Sequence, residues 1–283
     1  MSKNFVQSAA LRSLAVRAYR LYARAQFWRT GPRIFINSIP KAGTHLVTAE
    51  LERFQGLQHS RLHIEIAETK VGEQRRPDAN PVLDYRKVAR YVDQVRPGQF
   101  FSAHLFWTQE MQDIIAARGI PTVFVLRDPR DILISRLHYT AGLQRHWMHK
   151  FFTENYHSDV ERLRLLVMGH EANPVVIPMR NVLESFQPWL TAPGVLSVKF
   201  EDLVGERGGG SAARKLEVLQ QIATHCGLPS GHLEELAKTA TGSTPTLRKG
   251  KIGGWREDMP KEIADLVHRE CGDLIKACGY ALD

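Results

Sequence analysis

The stretch FINSIPKAGTH, residues 35–45, joins a short apolar segment to a second apolar segment through a lysine, a glycine and a threonine. The first segment predicts a buried strand, and residues 44–54 predict a helix with Val47 and Leu51 facing inward. Backbone N–H groups and the positive end of a helix dipole converge at such a turn. We therefore predict an anion site at residues 41–44, with phosphate as the first candidate.

The order of residues in this turn differs from that of a nucleoside-triphosphatase loop. Here Lys41 precedes Gly43, whereas the lysine follows the glycine in G-x-x-x-x-G-K-[ST], and no hydroxyl residue directly follows Lys41. What the turn offers is one cationic side chain, a glycine that permits close backbone approach, and the hydroxyl of Thr44. An ordinary strand-to-helix turn with an exposed lysine is the alternative.

The alternation of apolar runs and helical segments predicts the fold class. Three further runs suit strands covered on both faces: QFFSAHL (99–105), PTVFVL (121–126) and GVLSVKF (194–200). Helical segments are expected at 85–95, 111–117, 132–138 and in a longer region through 167. This order predicts an α/β protein with a central parallel sheet flanked by helices. Polar residues 69–82 and glycine-rich residues 205–211 are expected to be surface loops, the latter without function.

Composition limits the class of protein and of ligand. A chain of 283 residues that is 43% hydrophobic can bury a substantial core. Lys and Arg outnumber Asp and Glu by 38 to 30, and the pI is near 9.5, which favours anionic ligands such as a nucleotide, acidic glycan, nucleic acid or membrane surface. The three cysteines are an odd number and lack close paired metal-type spacing, so they suggest neither a cysteine-bound zinc nor a disulfide framework, and we expect buried thiols.

Residues 1–30 predict an N-terminal amphipathic basic helix, separate from a main domain at 31–283. Arg17, Arg20 and Arg24 share one helical face and interrupt any signal-peptide core. Packing of this helix on its own domain is the first interpretation, and attachment to a membrane surface is the second. We expect a cytoplasmic protein, and peripheral attachment to a membrane is the alternative.

Two later segments carry further anion-binding chemistry. After the strand PTVFVL, the segment RDPRDILIS places Arg127 at the carboxyl edge of the sheet and Ser135 in the next helix, where both could hold a second phosphate. The same segment also reads as a capped helix start, with Arg130 and Asp131 in solvent. The segment LRKGKIGGWRED (247–258) combines cations with glycines that can surround a phosphate, although such a composition is also typical of a surface loop.

Together the three segments resemble the sulfotransferase superfamily, which transfers a sulfuryl group from 3′-phosphoadenosine 5′-phosphosulfate (PAPS). The family motifs are P-K-[SA]-G-T for the 5′-phosphosulfate, R-[DN]-P-x-D-x-x-x-S for the 3′-phosphate, and a late R-K-G-x-x-G-x-W loop. Their counterparts here are residues 40–44, 127–135 and 248–255. The resemblance implies the sulfotransferase fold, a single catalytic domain, and PAPS as donor, with adenosine 3′,5′-bisphosphate (PAP) as product.

The resemblance also implies roles for individual residues. In the cytosolic branch of the family, a histidine in a short H-L segment acts as the general base. Here the corresponding residue is His104 in SAHLFW. Without the resemblance, a histidine beside a strand is usually structural. A glutamate base is the rival assignment, with Glu50 or Glu65 as candidates by position. The implied catalytic residues are thus His104 and Lys41, with no metal, and the implied donor-binding residues are Lys41, Ala42, Gly43, Thr44, His45, Arg127, Ser135, Phe200, Arg248, Lys249 and Gly250.

Several positions depart from the family pattern. His45 and Leu46 stand where a tryptophan often stacks on adenine, Phe200 replaces a tyrosine, and Gly254 replaces a common aspartate. The family's K-x-x-x-T-V-x-x-x-E dimer segment is missing, so the sequence leaves the oligomeric state open.

The sequence does not identify the acceptor, and it leaves two other functions open. Residues 57–84 and 139–170 are the expected acceptor loops, and the aromatic residues of the second favour a carbohydrate or lipid-linked hydroxyl over a phenol or steroid, unless they only pack a helix on the core. The alternatives are an ATP-dependent small-molecule kinase and a non-catalytic glycan- or lipid-binding protein. Nucleic acid is not expected, since the cations do not form an aromatic-interleaved strip.

Overall fold

The computed structural model describes residues 18, 31–54, 56–72, 80–171, 173, 176–239 and 251–283. The predicted N-terminal helix therefore lies outside the described residues, apart from Ala18, and the division into 1–30 and 31–283 stays a prediction. No helix in the described part of the chain is both long enough and apolar enough to cross a bilayer.

The centre of the molecule is a five-stranded parallel sheet with strand order β2-β3-β1-β4-β5. The strands are β1 (Ile34–Ser38), β2 (Gln58–Glu65), β3 (Gln99–His104), β4 (Thr122–Leu126) and β5 (Val195–Lys199). This confirms the predicted α/β class and all four predicted strands. β2 was not predicted, because residues 57–84 were expected to be a loop.

Helices connect and cover the strands. They are α1 (Thr44–Leu51), α2 (Ile66–Thr69), α3 (Tyr85–Asp93), α4 (Gln109–Ala116), α5 (Pro129–Gly142), α6 (His149–Glu154), α7 (Asp159–Met168), α8 (Met179–Phe186), α9 (Phe200–Leu203), α10 (Ala212–Cys226), α11 (Leu233–Lys238), α12 (Trp255–Asp258) and α13 (Lys261–Ala277). Short 3₁₀ turns occupy Gln187–Leu190 and Glu206–Gly208.

Hydrophobic layers cover both faces of the sheet. Alternate side chains of β1 point to opposite faces, so Phe35 packs in one layer with Phe101, while Ile34 and Ile36 pack in the other. Every residue of β1 and β4 is buried. Three of the apolar runs identified in the sequence are therefore the inner strands β1, β3 and β4 of a sheet covered on both sides, and the fourth is the partly buried edge strand β5.

A pair of hydrogen bonds joins the carboxyl ends of β1 and β3. The buried Asn37 side chain donates from Nδ2 to the Leu105 carbonyl oxygen at 2.7 Å and accepts from the Leu105 N–H at 3.0 Å. The same carbonyl oxygen also accepts from the indole N–H of buried Trp189 at 2.9 Å. These contacts hold the residue after His104 in a fixed position relative to the turn after β1.

The three cysteines, Cys226, Cys271 and Cys278, are buried and unpaired. This agrees with the expectation of buried thiols. Burial raises the pKa of all three thiols, to about 12 for Cys226 and Cys271 and about 11 for Cys278, so they stay protonated near neutral pH.

Candidate active site

Three of the predicted site residues lie at the carboxyl edge of neighbouring strands. Lys41 follows β1, His104 ends β3, and Arg127 follows β4, and β1 lies between β3 and β4 in the sheet. In parallel sheets this edge is the usual position of a ligand site. The predicted anion-binding turn, the predicted base and the predicted second anion-binding arginine therefore share one edge.

The turn after β1 is a tight loop that leads directly into α1. The Ala42 N–H donates to the Ile39 carbonyl oxygen at 3.0 Å, and the N–H groups of Leu46 and Val47 donate to the Gly43 carbonyl oxygen. Thr44 begins α1, and its Oγ1 lies 2.6 Å from Ser38 Oγ. The turn thus has the strand-to-helix geometry that the sequence predicted for an anion site.

Gly43 is required in this turn by both conformation and contact. Its φ is 115°, and a Cβ there would lie 2.6 Å from Cδ2 of the buried Phe200 ring. Phe200 also contacts Arg127, whose Cζ is 4.3 Å from the ring centroid. Phe200 therefore packs between the first and second predicted anion-binding segments, a role that needs a ring but no hydroxyl.

We expect Gly43→Ala to destabilise the protein more than a glycine substitution that introduces conformational strain alone. The control is Gly194→Ala, because Gly194 also has positive φ, 71°, but a Cβ there would meet nothing within 4 Å. Left-handed strain costs about 1–2 kcal/mol, so denaturant unfolding should give at least that loss for the control and a larger one for Gly43→Ala. Equal losses would contradict the proposed contact with Phe200.

Lys41 has an unusual backbone conformation and an unusual environment. Its φ is +75°, and its Nζ lies 3.6 Å from the centroid of the Tyr139 ring on α5. Burial, together with the nearby charge of Arg127, lowers the pKa of Lys41 to about 8. A positive φ in a non-glycine residue is uncommon and often occurs at ligand-binding turns. A cation that is partly desolvated next to another cation gains from a bound anion.

His104 is oriented through one ring nitrogen. Its Nδ1 lies 2.9 Å from the Ser38 carbonyl oxygen, which can only accept, so Nδ1 carries the proton and Nε2 keeps its lone pair. Burial and the neighbouring His63 lower the pKa of His104 to about 4, so the ring is neutral at pH 7. A neutral imidazole with a free Nε2 has the form that a general base requires.

The two rival glutamates have different environments. Glu50 is buried, and its carboxylate binds Lys215 at 2.6 Å and Arg53 at 2.8 Å, so it serves as a buried counter-charge between α1 and α10. Glu65 ends β2 opposite His104 in the strand register and lies 3.0 Å from Nε2 of His63. Only Glu65 of the two is therefore near the predicted base.

The second predicted segment forms both a helix cap and a link to the third segment. Asp128 caps α5 by accepting from the Arg130 N–H at 2.9 Å. The expectation that Arg130 and Asp131 lie in solvent was wrong, since both are buried. The Asp131 carboxylate accepts from the N–H groups of Gly253 at 2.9 Å and Trp255 at 2.8 Å, which supplies the partners that a buried charge needs.

The described part of the third segment therefore lies beside Arg127, whose Nη2 is 3.4 Å from the Lys251 carbonyl oxygen. Arg248, Lys249 and Gly250 lie outside the described residues. The glycine-rich residues 205–211, expected to have no function, include a 3₁₀ turn that supports the third segment, because the Ile252 N–H donates to the Gly208 carbonyl oxygen at 3.0 Å.

The remaining predicted residues lie in the turn after β1 and in the helices α1 and α5 that follow β1 and β4. Ala42 is buried in the turn, His45 is exposed in the first turn of α1, and Ser135 is partly exposed in the middle of α5. Sequence analysis missed Tyr139 beside Lys41 and His63 beside His104. Neither residue belongs to one of the three motifs, although the alternating pattern of residues 62–66 indicates a strand and could have identified the position of His63.

The predicted acceptor regions are only partly loops. Residues 58–65 form β2, and half of the second region lies in α6 and α7. Its aromatic residues divide into two groups: Phe152 is fully buried in the core, whereas Trp147 is 61% exposed. His146 connects Trp147 to Tyr139, with ring centroids 5.6 and 5.3 Å away. A row of rings thus extends from Lys41 to an exposed tryptophan.

Comparison with known structures gives the same fold. Mouse sulfotransferase SULT7A1 in complex with PAP has a TM-score of 0.56 and 16% identity, with 88% of this chain and 89% of that chain covered. A retinol dehydratase in complex with retinol and PAP has a TM-score of 0.51 and 16% identity, covering 92% and 86%. A putative steroid sulphotransferase of Arabidopsis thaliana has a TM-score of 0.50 and 14% identity, covering 95% and 84%.

None of the curated proteins matches the sequence. A family model does match it: residues 31–279 fit the sulfotransferase domain, a span that includes the strands and helices of the site described above. The chain therefore belongs to the sulfotransferase family, and the predicted enzyme class, a PAPS-dependent sulfotransferase, is confirmed.

Proposed function

We propose that the chain transfers the sulfuryl group of PAPS to an acceptor hydroxyl, with His104 as the general base. The observation that carries this proposal is the arrangement at the carboxyl edge of β3, β1 and β4. There, His104 is held by Ser38 at the end of β1 with its Nε2 unprotonated, and burial together with the charge of Arg127 lowers the pKa of Lys41 in the turn that follows β1. A base, a leaving-group cation and a second anion-binding cation are the groups that this transfer needs.

The donor is proposed to lie across this edge with its two phosphate ends on different segments. The 5′-phosphosulfate would lie on Lys41, Ala42, Gly43, Thr44 and His45, and the 3′-phosphate on Arg127 and Ser135 together with Arg248, Lys249 and Gly250. Arg127 supports this placement, because its Nε is buried and has no hydrogen-bond partner among the described residues. A buried unpaired N–H is costly, and an anionic ligand would satisfy it.

The proposed reaction transfers one proton and replaces one sulfur–oxygen bond with another. Nε2 of His104 accepts the proton of the acceptor hydroxyl while the acceptor oxygen bonds to sulfur. The bond between sulfur and the bridging phosphate oxygen breaks, and the charge that develops on that oxygen is stabilised by Lys41. The mechanism assigns no role to a metal, because lysine and arginine supply the positive charge.

For the acceptor, we propose a hydroxyl on a carbohydrate or a lipid-linked sugar. The exposed Trp147 and the rings of His146 and Tyr139 provide a surface that can stack on a sugar ring and that leads towards Lys41. A screen with labelled PAPS should include sugars, glycolipids, phenols, steroids and retinol. Higher kcat/KM for the non-sugar alcohols would contradict the sugar assignment. Cytoplasmic location, with or without peripheral membrane contact, stays a prediction, and the oligomeric state is open.

Ligand-induced stabilisation tests the donor assignment directly. We expect PAP to raise the melting temperature of the purified chain by several degrees, since ligand at 100 times Kd adds about 2.7 kcal/mol of stability. ATP with Mg²⁺ should have a much smaller effect. Arg127→Ala should lose most of the response to PAP, whereas Arg118→Ala, which removes an arginine paired with Asp93 elsewhere, should keep it. An equal or larger response to ATP with Mg²⁺ would instead favour the kinase alternative.

A further inference from the structure

Three potential metal ligands converge where β2 and β3 end. His63 and Glu65 are two residues apart on β2 and so share a face, and Glu65 is paired with His104 in the strand register. One donor atom from each of the three side chains can be chosen so that all lie within 4.8 Å of one another. The rings of His63 and His104 are nearly perpendicular, with centroids 4.7 Å apart.

An irregularity in β2 brings His63 to this position. Between His59 and His63 the chain takes four residue steps, while the paired part of β3 takes two, from Phe100 to Ser102. Arg61, in the middle of this bulge, has a φ of +64°. Because two extra residues are an even number, the sheet faces are preserved, and His63 is shifted to lie opposite Ser102. Bulges are common beside ligand sites, where they re-orient a side chain.

Each imidazole has a second partner on its Nδ1 atom. Nδ1 of His104 lies 2.9 Å from the Ser38 carbonyl oxygen, and Nδ1 of His63 lies 2.8 Å from Ser102 Oγ. Metal-bound histidines commonly have this arrangement, in which the outer nitrogen is held by a carbonyl or hydroxyl and the other nitrogen binds the ion. Nε2 of His63 already lies 3.0 Å from the carboxylate of Glu65.

We propose that His63, Glu65 and His104 form a Zn²⁺ site, and that Zn²⁺ bound there inhibits sulfuryl transfer. Two imidazoles and one carboxylate are a common ligand set for zinc, with the fourth position left for water. Zinc–ligand bonds of about 2.0–2.2 Å place neighbouring donors in a tetrahedral site roughly 3.3 Å apart, which this cluster can reach by small side-chain movements. The ion would act as an inhibitor rather than a cofactor.

The inhibition follows from the proposed function, on which this second half of the inference rests. If Nε2 of His104 accepts the acceptor proton, a zinc ion on the same lone pair removes the base. The zinc would also occupy space beside the turn that holds Lys41. The metal site itself does not depend on the reaction, so binding and inhibition can be tested separately.

The binding test uses the full chain without donor, after treatment with EDTA and desalting. We expect calorimetry to show one Zn²⁺ bound per chain, with an affinity that His63→Gln and Glu65→Gln each lower at least tenfold. Substitution of Zn²⁺ by Co²⁺ should give the visible absorption of a four-coordinate site. His225→Gln is the matched control, since His225 lies at the other end of the sheet with Nε2 3.1 Å from the Thr122 carbonyl oxygen. Unchanged Zn²⁺ affinity in both ligand variants would overturn the site.

The inhibition test compares turnover with Zn²⁺ and with EDTA for each variant separately. At a free Zn²⁺ concentration of about ten times the wild-type Kd, wild type and His225→Gln should lose about nine-tenths of their turnover and regain it with EDTA, whereas His63→Gln, whose site is at least tenfold weaker, should keep about half of its turnover or more. Zinc that binds at the site without lowering turnover would overturn the inhibitory role. A failure of the proposed function would look different, because the wild type would then show no sulfuryl transfer even in EDTA, or His104→Ala would keep full turnover in EDTA.

Discussion

His104→Ala should lower kcat by about 10²- to 10⁴-fold, the range expected when a general base is removed, while the Kd for PAP stays within about twofold. The reason is geometric: His104 lies at the end of β3 with Nδ1 held by Ser38, and only its Nε2 is proposed to touch the acceptor. Donor binding is assigned to other segments. Stopped-time assays with labelled PAPS would give kcat, and calorimetry would give the PAP affinity.

Two controls separate this chemical role from a structural one. His225→Gln removes another histidine that is hydrogen-bonded to a backbone carbonyl, and it should leave kcat unchanged. Added imidazole should restore part of the turnover of His104→Ala and should leave the turnover of His225→Gln unchanged. A His104→Ala enzyme with wild-type kcat would eliminate this residue as the base and direct attention to Glu65.

Lys41→Ala should have the second-largest effect and should damage both binding and turnover. Hydrogen bonds to charged groups contribute about 1.5–3 kcal/mol, so PAP affinity should fall by roughly 10- to 100-fold. The loss in kcat should be larger, about 10²- to 10³-fold, because charge on the leaving oxygen grows only in the transition state. Lys87→Ala is a suitable control, since Lys87 also lies over a tyrosine ring, that of Tyr91.

The pH dependence of PAP affinity gives an independent readout of Lys41. Its pKa of about 8 means that the ammonium is fully charged well below pH 8 and loses its proton as the pH rises through that value. PAP affinity in the wild type should therefore vary little between about pH 7 and this pKa, and should weaken above it by at most about tenfold per pH unit. The phosphates of PAP are fully ionised there and add no slope. The PAP affinity of Lys41→Ala should not depend on pH across the same range. If the pH dependence persists in this variant, another group causes it.

Strands and motifs that depend on local pattern were predicted well. The apolar runs of β1, β3 and β4 are almost entirely buried, and that of the edge strand β5 is partly buried, so each is recognisable from composition alone. Their order along the chain also placed Lys41, His104 and Arg127 at one edge, because parallel strands end on the same side. What the sequence could not provide was the lateral order of the strands, which depends on long-range packing.

β2 was missed for a specific physical reason. Its residues alternate only from Leu62 onwards, and the bulge at Arg61 interrupts the period of two that identifies a strand. Arg130 and Asp131 were placed in solvent because charged residues are rarely buried without partners. Arg130 is paired with Asp128, and Asp131 accepts from the N–H groups of residues 253 and 255. The contacts with residues 253 and 255 join distant parts of the chain and can be seen only in the structure.

The reciprocal hydrogen bonds between Asn37 and Leu105 have a consequence for how such an enzyme can acquire new acceptors. Because main chain and one amide fix the spacing between His104, the proposed base, and the turn that holds Lys41, that spacing does not depend on the segments around Trp147. Those outer segments can therefore change in sequence or length without altering the position of His104 relative to this turn. Variation in substrate preference and constancy of chemistry can thus coexist within one chain, since different parts of it encode each.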